Sequence, residues 1–235
     1  MGPQHVTPEV ADALRGVDYV LAAQKSEDDG LLELRREICR RFGDVPLVVA
    51  PDPARDRDDP RDYRRAVGDW HEARIAAYER VLAERPGDVG FLVWGDPSLY
   101  DSTVRIVEAL AGRSGGALAY DVLPGISAPQ LLAARHRMVL HDVGAPVHVT
   151  TGRRLRDAVD VGQRDIVVML TRELDLDGLD DWQVWWGANL GTPGETLVAG
   201  RVGDVRQDID TARERLRREA GWVMDIYRLR HDTSG

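Results

Sequence analysis

A short stretch, FLVWGDPSLYDST at residues 91–103, constrains the fold of this chain more than any other. Its first four residues are apolar, which predicts a strand buried on both faces, as in a parallel sheet. We expect this strand to stop at Gly95 and a helix to follow, with Asp96 as its cap and Pro97 in its first turn. Such a turn at the carboxyl end of a parallel strand is where open α/β sheets bind ligands. The alternative is that Asp96 only caps a helix and Gly95 only turns the chain.

A second turn of the same type follows the next predicted strand, residues 118–123 (LAYDVL). Ser127 and Gln130 after it have the spacing of a capping box, which predicts another helix start. Two such turns at one sheet edge would aim two helix N-termini at one ligand, which favours a carboxylate or a phosphate. The chain has neither a P-loop nor a G-x-G-x-x-G motif, so we rank a phosphate-binding α/β protein last among the hypotheses.

Strands and helices alternate through the N-terminal part of the chain. Further helices are predicted from Thr7-Pro8 to Gly16, from Ser26 to Gly43 and over residues 63–83, and further strands over residues 17–23 and 46–50. The proline-rich, acidic residues 51–62 are predicted to form a solvated loop. This repeated alternation predicts a parallel sheet with right-handed crossovers.

The pattern changes after residues 141–146, HDVGAP, which we interpret as a link between domains. Strands are predicted over residues 147–151, 165–170, 182–190, 195–199 and 222–229, and a helix over residues 204–219. Many strands joined by short turns predict a mixed or antiparallel sheet. The fold class is therefore α/β. We expect a parallel-sheet domain over residues 1–141, a mixed-sheet domain over residues 146–235 and a cleft between them.

Composition excludes several classes of function. A single cysteine, Cys39, excludes an internal disulfide and a thiolate metal cluster and is typical of a reducing cytoplasm. No apolar run approaches the ~18 residues that a membrane helix needs, and the first residues do not resemble a signal peptide. The net charge of −9 argues against general nucleic-acid binding. We therefore expect a cytoplasmic protein that binds neither membranes nor nucleic acid.

The motifs VWGDPSLYDST and DVLPGISAPQ, followed by a mixed second domain, resemble the tetrapyrrole methylases of cobalamin and sirohaem synthesis. Further stretches are similar to the member that methylates carbon 1 of precorrin-5 and releases acetate; they are DYRRAVGDWHEAR, LAARHRM, PVHVTTGRRL, WWGANLGTP and GWVMDIYRLR. The resemblance implies two α/β domains with S-adenosylmethionine bound between them as methyl donor. It also implies a tetrapyrrole substrate, a homodimer and chemistry that needs no metal.

The beginning of the sequence departs from the family pattern. The family opens with a strand and a G-x-G-x-G-x-P loop, whereas here Met1-Gly2-Pro3 matches only the end of that loop. We therefore expect a shortened sequence without the first strand and the glycine-rich loop. Such a chain would have strands with unpaired edges and apolar surface in water.

The resemblance assigns nine residues to the cofactor site: Gly95, Asp96, Leu99, Ser127, Ala128, Met169, Leu170, Leu190 and Gly191. A glycine lets the backbone approach a ligand closely, and the carboxylate of Asp96 favours a sulfonium cation. Ser127 and the helix amides after it suit the methionine end of the cofactor. For Met169 and Leu170, and equally for Leu190 and Gly191, an ordinary structural role is the alternative.

The substrate that the resemblance implies is a macrocycle with many carboxylates, so guanidinium groups are expected near it. The candidates are Arg135, Arg137, Arg153 and Arg154, for which solvated surface arginines are the alternative.

Three residues are candidate catalytic groups: Tyr100, Asp101 and His136. Tyr100 and Asp101 come just after the first turn. Asp101, His136 or His141 would accept the proton of the water that attacks the acetyl group, unless the electronics of the substrate drive this step. Methyl transfer itself needs positioning and exclusion of water. The remaining alternatives are a sister methylase of different ring position and a catalytically silent ligand-binding homologue.

Overall fold

A computed structural model describes residues 1–24, 30–53, 63–221 and 223–231 of the chain. The contacts divide it into two compact units, one of residues 2–125 and one of residues 126–235 that also includes Met1. Both units combine helices with a sheet, as predicted from the sequence. Two predictions lie outside the described residues. They are the start of the second helix at Ser26 and most of the loop over residues 51–62.

The N-terminal unit is a three-stranded parallel sheet with helices. In chain order its elements are α1 (Pro8–Gly16), β1 (Tyr19–Gln24), α2 (Gly30–Phe42), β2 (Leu47–Pro51), α3 (Tyr63–Glu84), β3 (Val89–Gly90) and α4 (Thr103–Arg113). The strand order is β2-β1-β3, and β1 pairs in parallel with both neighbours. Alternate residues of β1 enter different cores, since Leu21 packs with Ile75 and Ile106, and Val20 packs with Leu14.

Two predicted strands of this unit are wrong. The ladder between β1 and β3 contains only the pairs Tyr19–Val89 and Val20–Gly90, so residues 91–94 are not a strand. Residues 118–123 also have no regular secondary structure, and Tyr120 and Val122 are 41% and 48% exposed. The physical reason is that an apolar segment becomes a strand only beside a ladder partner, and neither segment has one among the described residues. As a result β3 lies at the edge of its sheet.

The C-terminal unit is built on a five-stranded mixed sheet. In chain order its elements are α5 (Ala128–His136), β4 (His148–Thr151), α6 (Leu155–Asp160), β5 (Asp165–Met169), β6 (Gln183–Ala188), β7 (Thr196–Arg201), α7 (Val202–Ala220) and β8 (Asp225–Arg230). The order is β4-β5-β8-β6-β7, with β4 and β5 parallel and the other pairs antiparallel. The mixed sheet predicted from short turns is therefore present, and α6 is a helix that the sequence analysis did not predict.

Successive residues of β5 enter different cores, which places a layer on each face of this sheet. Ile166 and Val168 belong to the core that contains Ile209 of α7, whereas Val167 packs with Leu131 and Leu132 of α5. The period of two in the strands thus separates the two helical layers.

The division between units falls earlier than the link predicted at residues 141–146. Residues 126–141 group with the C-terminal unit. The reason is the apolar face of α5, because Leu131 and Leu132 are buried against Val167 and Ile226 of the C-terminal sheet.

We also find that no helix among the described residues is long and apolar enough to cross a membrane.

Candidate functional site

The GDP turn at residues 95–97 is held by the side chain of Asp96. Gly95 has a φ of +88°, a conformation that glycine adopts at little cost. Asp96 Oδ1 accepts hydrogen bonds from the backbone N–H of Ser98, at 2.9 Å, and from the Ser98 hydroxyl. Asp96 Oδ2 accepts one from the N–H of Gly125, also at 2.9 Å. The Leu99 N–H donates to the Asp96 carbonyl at 3.2 Å, which closes the turn.

The prediction that Asp96 caps the following helix is wrong. Helix α4 begins only at Thr103, after Ser102, and Pro97 lies in the turn before it. The capping role passes to Asp101, whose Oδ1 accepts the Thr103 N–H at 2.6 Å. The Asp96 carboxylate is used instead to join two turns that are distant in sequence, which local capping rules do not detect.

Burial by itself would raise the pKa of the Asp96 carboxyl, but its hydrogen bonds from Ser98 and Gly125 oppose this and lower the pKa below its ordinary value. Asp96 is therefore ionised at neutral pH and holds both turns as a carboxylate.

Backbone meets backbone where the two turns approach each other. A Cβ atom built on Gly125 would lie 2.3 Å from the carbonyl oxygen of Gly95, far closer than such atoms approach in proteins. Any other residue at position 125 must push the turns apart. The two glycine turns predicted from the sequence are thus neighbours within the N-terminal unit.

Ser127 begins α5 with the predicted capping box. Its hydroxyl accepts the Gln130 N–H at 3.4 Å, and the Gln130 side-chain oxygen accepts the Ser127 N–H at 2.8 Å. Ala128 and Pro129 form the first turn of the helix. The N-terminal end of α5 carries the partial positive charge that favours an anionic ligand group.

The candidate residues of the C-terminal sheet lie at one of its edges. Strands β4, β5 and β6 all end where β8 begins, because β4 is parallel to β5 and β8 runs antiparallel to both β5 and β6. Met169 and Leu170 follow β5, and Leu190 and Gly191 follow β6. Arg153 and Arg154 follow β4 at the same edge. The sheet therefore groups six of the predicted site residues, although neither periodicity nor spacing predicted the antiparallel β8 that aligns them.

The turns at this edge have unusual backbone conformations. Leu170 has a φ of +54° and is 62% exposed, a rare arrangement for an apolar side chain. Asn189 also has a positive φ, of +50°, and Gly191 has one of +78°. Strain of this kind is frequent at ligand sites, where the surrounding structure enforces it. Leu190, by contrast, is buried in the α5-side core with Leu132.

Arg135 and Arg154, both candidate substrate arginines, pair with carboxylates of their own unit. Arg135 Nε donates to Glu195 Oε1 at 2.7 Å, and Glu195 Oε2 accepts the Gly191 N–H at 2.7 Å. This ion pair therefore holds the 191 turn. Arg154 pairs with Asp157 at 2.6 Å on the surface. Arg137 is exposed, and its backbone, with a φ of +54°, ends α5.

The catalytic candidates also make structural contacts. His136 Nε2 lies 3.0 Å from the Trp186 carbonyl, to which it donates, and so attaches α5 to β6. Tyr100 has a φ of +52° and is half-exposed. Asp101 accepts the first amide of α4, as described above. Their catalytic roles stay predictions.

Sequence reasoning missed a polar group beside the carboxyl ends of β2 and β3. Asp52, directly after β2, pairs with Arg74 of α3, and the Arg74 guanidinium lies 4.1 Å from the centroid of the Trp70 ring. His71 Nε2 lies 3.1 Å from Ser102 Oγ, just before α4. Trp70, His71 and Arg74 all lie in the stretch DYRRAVGDWHEAR, to which the sequence analysis assigned no site residue. Among the described residues, no group of three or more His, Cys, Asp or Glu side chains is placed to hold a metal ion.

Comparison with known proteins shows the family to which this chain belongs. The family sequence model of the tetrapyrrole (corrin/porphyrin) methylases matches residues 1–206, and the chain belongs to that family. A precorrin-6A synthase (deacetylating) from Sinorhizobium sp is 41% identical over 237 residues, which cover 97% of this chain and 90% of that protein.

Two solved structures extend the comparison. A cobalamin synthesis related protein, CobF, from Corynebacterium diphtheriae is 34% identical, with a TM-score of 0.82 and coverage of 97% of this chain and 93% of that one. A uroporphyrin-III C-methyl transferase from Thermus thermophilus, solved with S-adenyl homocysteine, is 15% identical with a TM-score of 0.56, over 98% of this chain and 94% of that one. The second likeness concerns the fold alone. The fold class, the family and the methyltransferase class predicted from the sequence are confirmed.

Proposed function

We propose that this protein uses S-adenosylmethionine to methylate carbon 1 of precorrin-5 and releases the acetyl group as acetate, giving precorrin-6A. The observation that carries this proposal is the 41% identity, over 97% of the chain, to a precorrin-6A synthase (deacetylating). The likeness to a cobalamin synthesis related protein at 34% identity supports the same pathway. A cytoplasmic homodimer belongs to the proposal, and sedimentation analysis of the purified protein tests the dimer.

The residues at the two turns fit S-adenosylmethionine. Gly95 has no side chain to obstruct a ligand that approaches its backbone, and the ionised Asp96 beside it favours a positively charged sulfonium. The N-terminus of α5, capped by Ser127 and continued by Ala128, favours the methionine carboxylate. Leu99, in the same turn as Asp96, offers an apolar contact.

The C-terminal edge fits the adenosine end of the same cofactor. Leu170 presents an apolar side chain to solvent that a purine ring would cover, and Met169 precedes it. Leu190 and Gly191 supply the neighbouring turn at this edge. The Thermus thermophilus relative with this fold was solved with S-adenyl homocysteine, which supports the choice of cofactor.

When bound, S-adenosylmethionine supplies an electrophilic methyl group on a sulfonium. The task of the chain is to hold the ring carbon in line with that methyl group and to keep water away. Arg137 and Arg153, with Arg135 and Arg154, are proposed to bind the carboxylates of the tetrapyrrole, since guanidinium groups pair with carboxylates in a fixed geometry. Specific side-chain contacts of this kind set which ring carbon is presented.

Acetate release needs a proton acceptor near the acetyl group. Water adds to the acetyl carbonyl and gives its proton to the acceptor, the bond between that carbonyl carbon and the ring breaks, and acetate leaves while the electron pair of the broken bond stays with the ring. Asp101 and His136 are the proposed acceptors, and Tyr100 is proposed to donate a hydrogen bond to the substrate. Replacing His136 by Gln tests one of these roles: acetate release should fall while methylation continues.

The proposal is tested by incubating the purified protein with S-adenosylmethionine and precorrin-5. Mass spectrometry should show a product with one methyl group gained and the acetyl group lost, and acetate should accumulate in equal amount. A methylated product that keeps its acetyl group would indicate a sister methylase. No product, together with no calorimetric heat from S-adenosylhomocysteine at millimolar concentration, would indicate a catalytically silent homologue.

A further inference from the structure

Met224 and Asp225, where β8 begins, connect the two loops that the proposed function assigns to adenosine. One is the turn over residues 189–191. The Asn189 N–H donates to the Met224 carbonyl at 2.8 Å, and the Met224 N–H donates to Asn189 Oδ1 at 2.9 Å. Ala188 is the ladder partner of Asp225. This turn is therefore attached to the backbone directly before Asp225.

The other loop, residues 169–172, is attached through the side chains of Asp225 and Arg213. Arg213 Nη2 donates to the Arg172 carbonyl at 3.1 Å and approaches the Thr171 carbonyl at 3.5 Å. Arg213 Nε lies 3.1 Å from Asp225 Oδ2, and these side chains are only 6% and 0% exposed. Trp186 Nε1 donates to the same carboxylate oxygen at 3.0 Å. A continuous series of polar contacts thus runs from one loop to the other.

The loop needs an external attachment because of its own conformation. Leu170 is not glycine, yet its φ is +54°, and its side chain is largely in water. Neither the backbone preference of leucine nor apolar burial stabilises this arrangement. The next two carbonyls are those that face Arg213. The guanidinium therefore holds the loop at the point where it would otherwise relax.

We propose that Arg213 and Asp225 are positioning residues, which hold the 169–172 loop and the 189–191 turn in the conformation that binds S-adenosylmethionine. This inference rests on the proposed function and adds to it the group that orders the adenosine contacts. Both side chains are buried, so in this proposal they act through the two loops and not by contact with the reacting atoms.

The energetics of the pair agree with a positioning role. Burial raises the pKa of the Asp225 carboxyl, and the Arg213 charge and the Trp186 N–H oppose this shift without cancelling it. A buried ion pair of this kind gives little net stability, since desolvation consumes most of the Coulomb attraction. Its value to the protein is then the geometry that it imposes.

The same sheet offers a matched control. Arg228 is also buried and pairs with an aspartate, with Nε 2.8 Å from Asp165 Oδ1, and it also donates to a loop carbonyl, that of Val139, at 3.1 Å. The Arg228–Asp165 pair joins β8 to β5, whereas the Arg213–Asp225 pair joins α7 to β8. Asp165 starts β5, and Met169, next to the 169–172 loop, ends it. At ~3.3 Å per residue the two ends of β5 are about 13 Å apart.

The experiment compares Arg213→Gln, Asp225→Asn and Arg228→Gln with the wild-type protein. Calorimetric titration with S-adenosylhomocysteine should give a Kd about tenfold higher for the first two variants. The Kd of Arg228→Gln should change less than about twofold. The thermal stability of this variant should nevertheless fall about as much as that of the other two variants. Circular dichroism at the titration temperature checks that each variant is folded.

Three further readouts separate positioning from a general loss of stability. The KM for S-adenosylmethionine should rise in Arg213→Gln, while kcat at saturating cofactor changes little. Arg213→Lys should restore part of the affinity, because an ammonium still donates to the loop carbonyls. The double variant Arg213→Gln/Asp225→Asn should bind no more weakly than either single variant, since the two residues act as one unit.

Two results would overturn the inference while leaving the proposed function intact. One is a wild-type protein that binds S-adenosylhomocysteine and an Arg213→Gln variant that binds it equally well. The other is an Arg228→Gln variant that loses as much affinity as Arg213→Gln. A wild-type protein that binds no S-adenosylhomocysteine would instead contradict the proposed cofactor itself, and the inference with it.

Discussion

Asp96 shows how one side chain can organise a site without capping a helix. Its two carboxylate oxygens accept hydrogen bonds from different turns, Ser98 in its own turn and Gly125 in the other. The sequence predicted a cap because an aspartate before a proline usually serves as one. The partner Gly125 is distant in sequence, so only the fold reveals it.

The titration of Asp96 should be visible in the stability of the protein. Its folded pKa lies below the ordinary carboxyl value of ~3.9, so its contribution is fully present above that value. The contribution is lost as the pH falls through the folded pKa. In urea unfolding from pH 6 to pH 3, the stability difference between wild type and Asp96→Asn should shrink in acid. A difference that grows in acid would show that the carboxylate is not held as described.

Gly125 should tolerate no side chain. In Gly125→Ala the new methyl group would meet the Gly95 carbonyl, so the turns must separate at a cost of about 1–3 kcal/mol. Affinity for S-adenosylhomocysteine should fall as well. The control is Gly112→Ala in α4, where no atom outside the adjacent residues and the backbone of the helix itself lies within 4 Å of the added group. That variant should gain ~0.5–1 kcal/mol, because alanine favours a helix interior more than glycine. Equal effects at both positions in urea unfolding would contradict the close approach.

At the scale of elements, the start of helix α5 was predicted well from the sequence. The unit to which α5 belongs was not predicted. Its capping box and its start after Ser127 follow from the local sequence. Its membership of the C-terminal unit depends on Val167 and Ile226, which lie far along the chain. The same distinction explains residues 118–123, which have the composition of a strand without a ladder partner in the described structure.

Replacing two leucines of the C-terminal unit by alanine should affect different properties, stability in one case and ligand binding in the other. Leu132 is fully buried between α5 and the sheet, so Leu132→Ala should lower the free energy of unfolding by about 2–5 kcal/mol. Leu170 is exposed, so Leu170→Ala should change stability by less than about 1 kcal/mol and weaken the binding of S-adenosylhomocysteine. Chemical denaturation and calorimetry measure the two effects. A stable Leu132→Ala variant would contradict the described packing of α5.

At the scale of the whole molecule, each unit has candidate residues in loops that follow its strands. In the N-terminal unit the GDP turn comes after β3, and in the C-terminal unit the 169–172 loop and the 189–191 turn come after β5 and β6. Loops at strand ends vary freely while the sheet supports them, which is how one fold serves many reactions. The substrate is therefore inferred from close relatives and not from the fold.

If both units contribute to cofactor binding, hydrogen exchange should report it in both. Saturating S-adenosylhomocysteine should slow amide exchange in the peptides that contain residues 95–99, 127–128, 169–172 and 189–191. Peptides from α4 and α6 serve as internal references. Protection confined to one unit, measured by mass spectrometry, would contradict the assignment of the other unit's residues to the cofactor.

The sequence by itself determined the family, the order of nearly all helices and strands and the change from a parallel to a mixed sheet. The family follows from the resemblance of whole motifs, whereas the order of the elements and the types of sheet depend on local periodicity, turn residues and capping, which act over a few positions. Only the tertiary structure decided which apolar segments find a ladder partner, that Asp96 joins two turns, and that Arg213 and Asp225 support two loops. Those outcomes depend on partners that are close in space and far apart in the chain, so no local pattern records them.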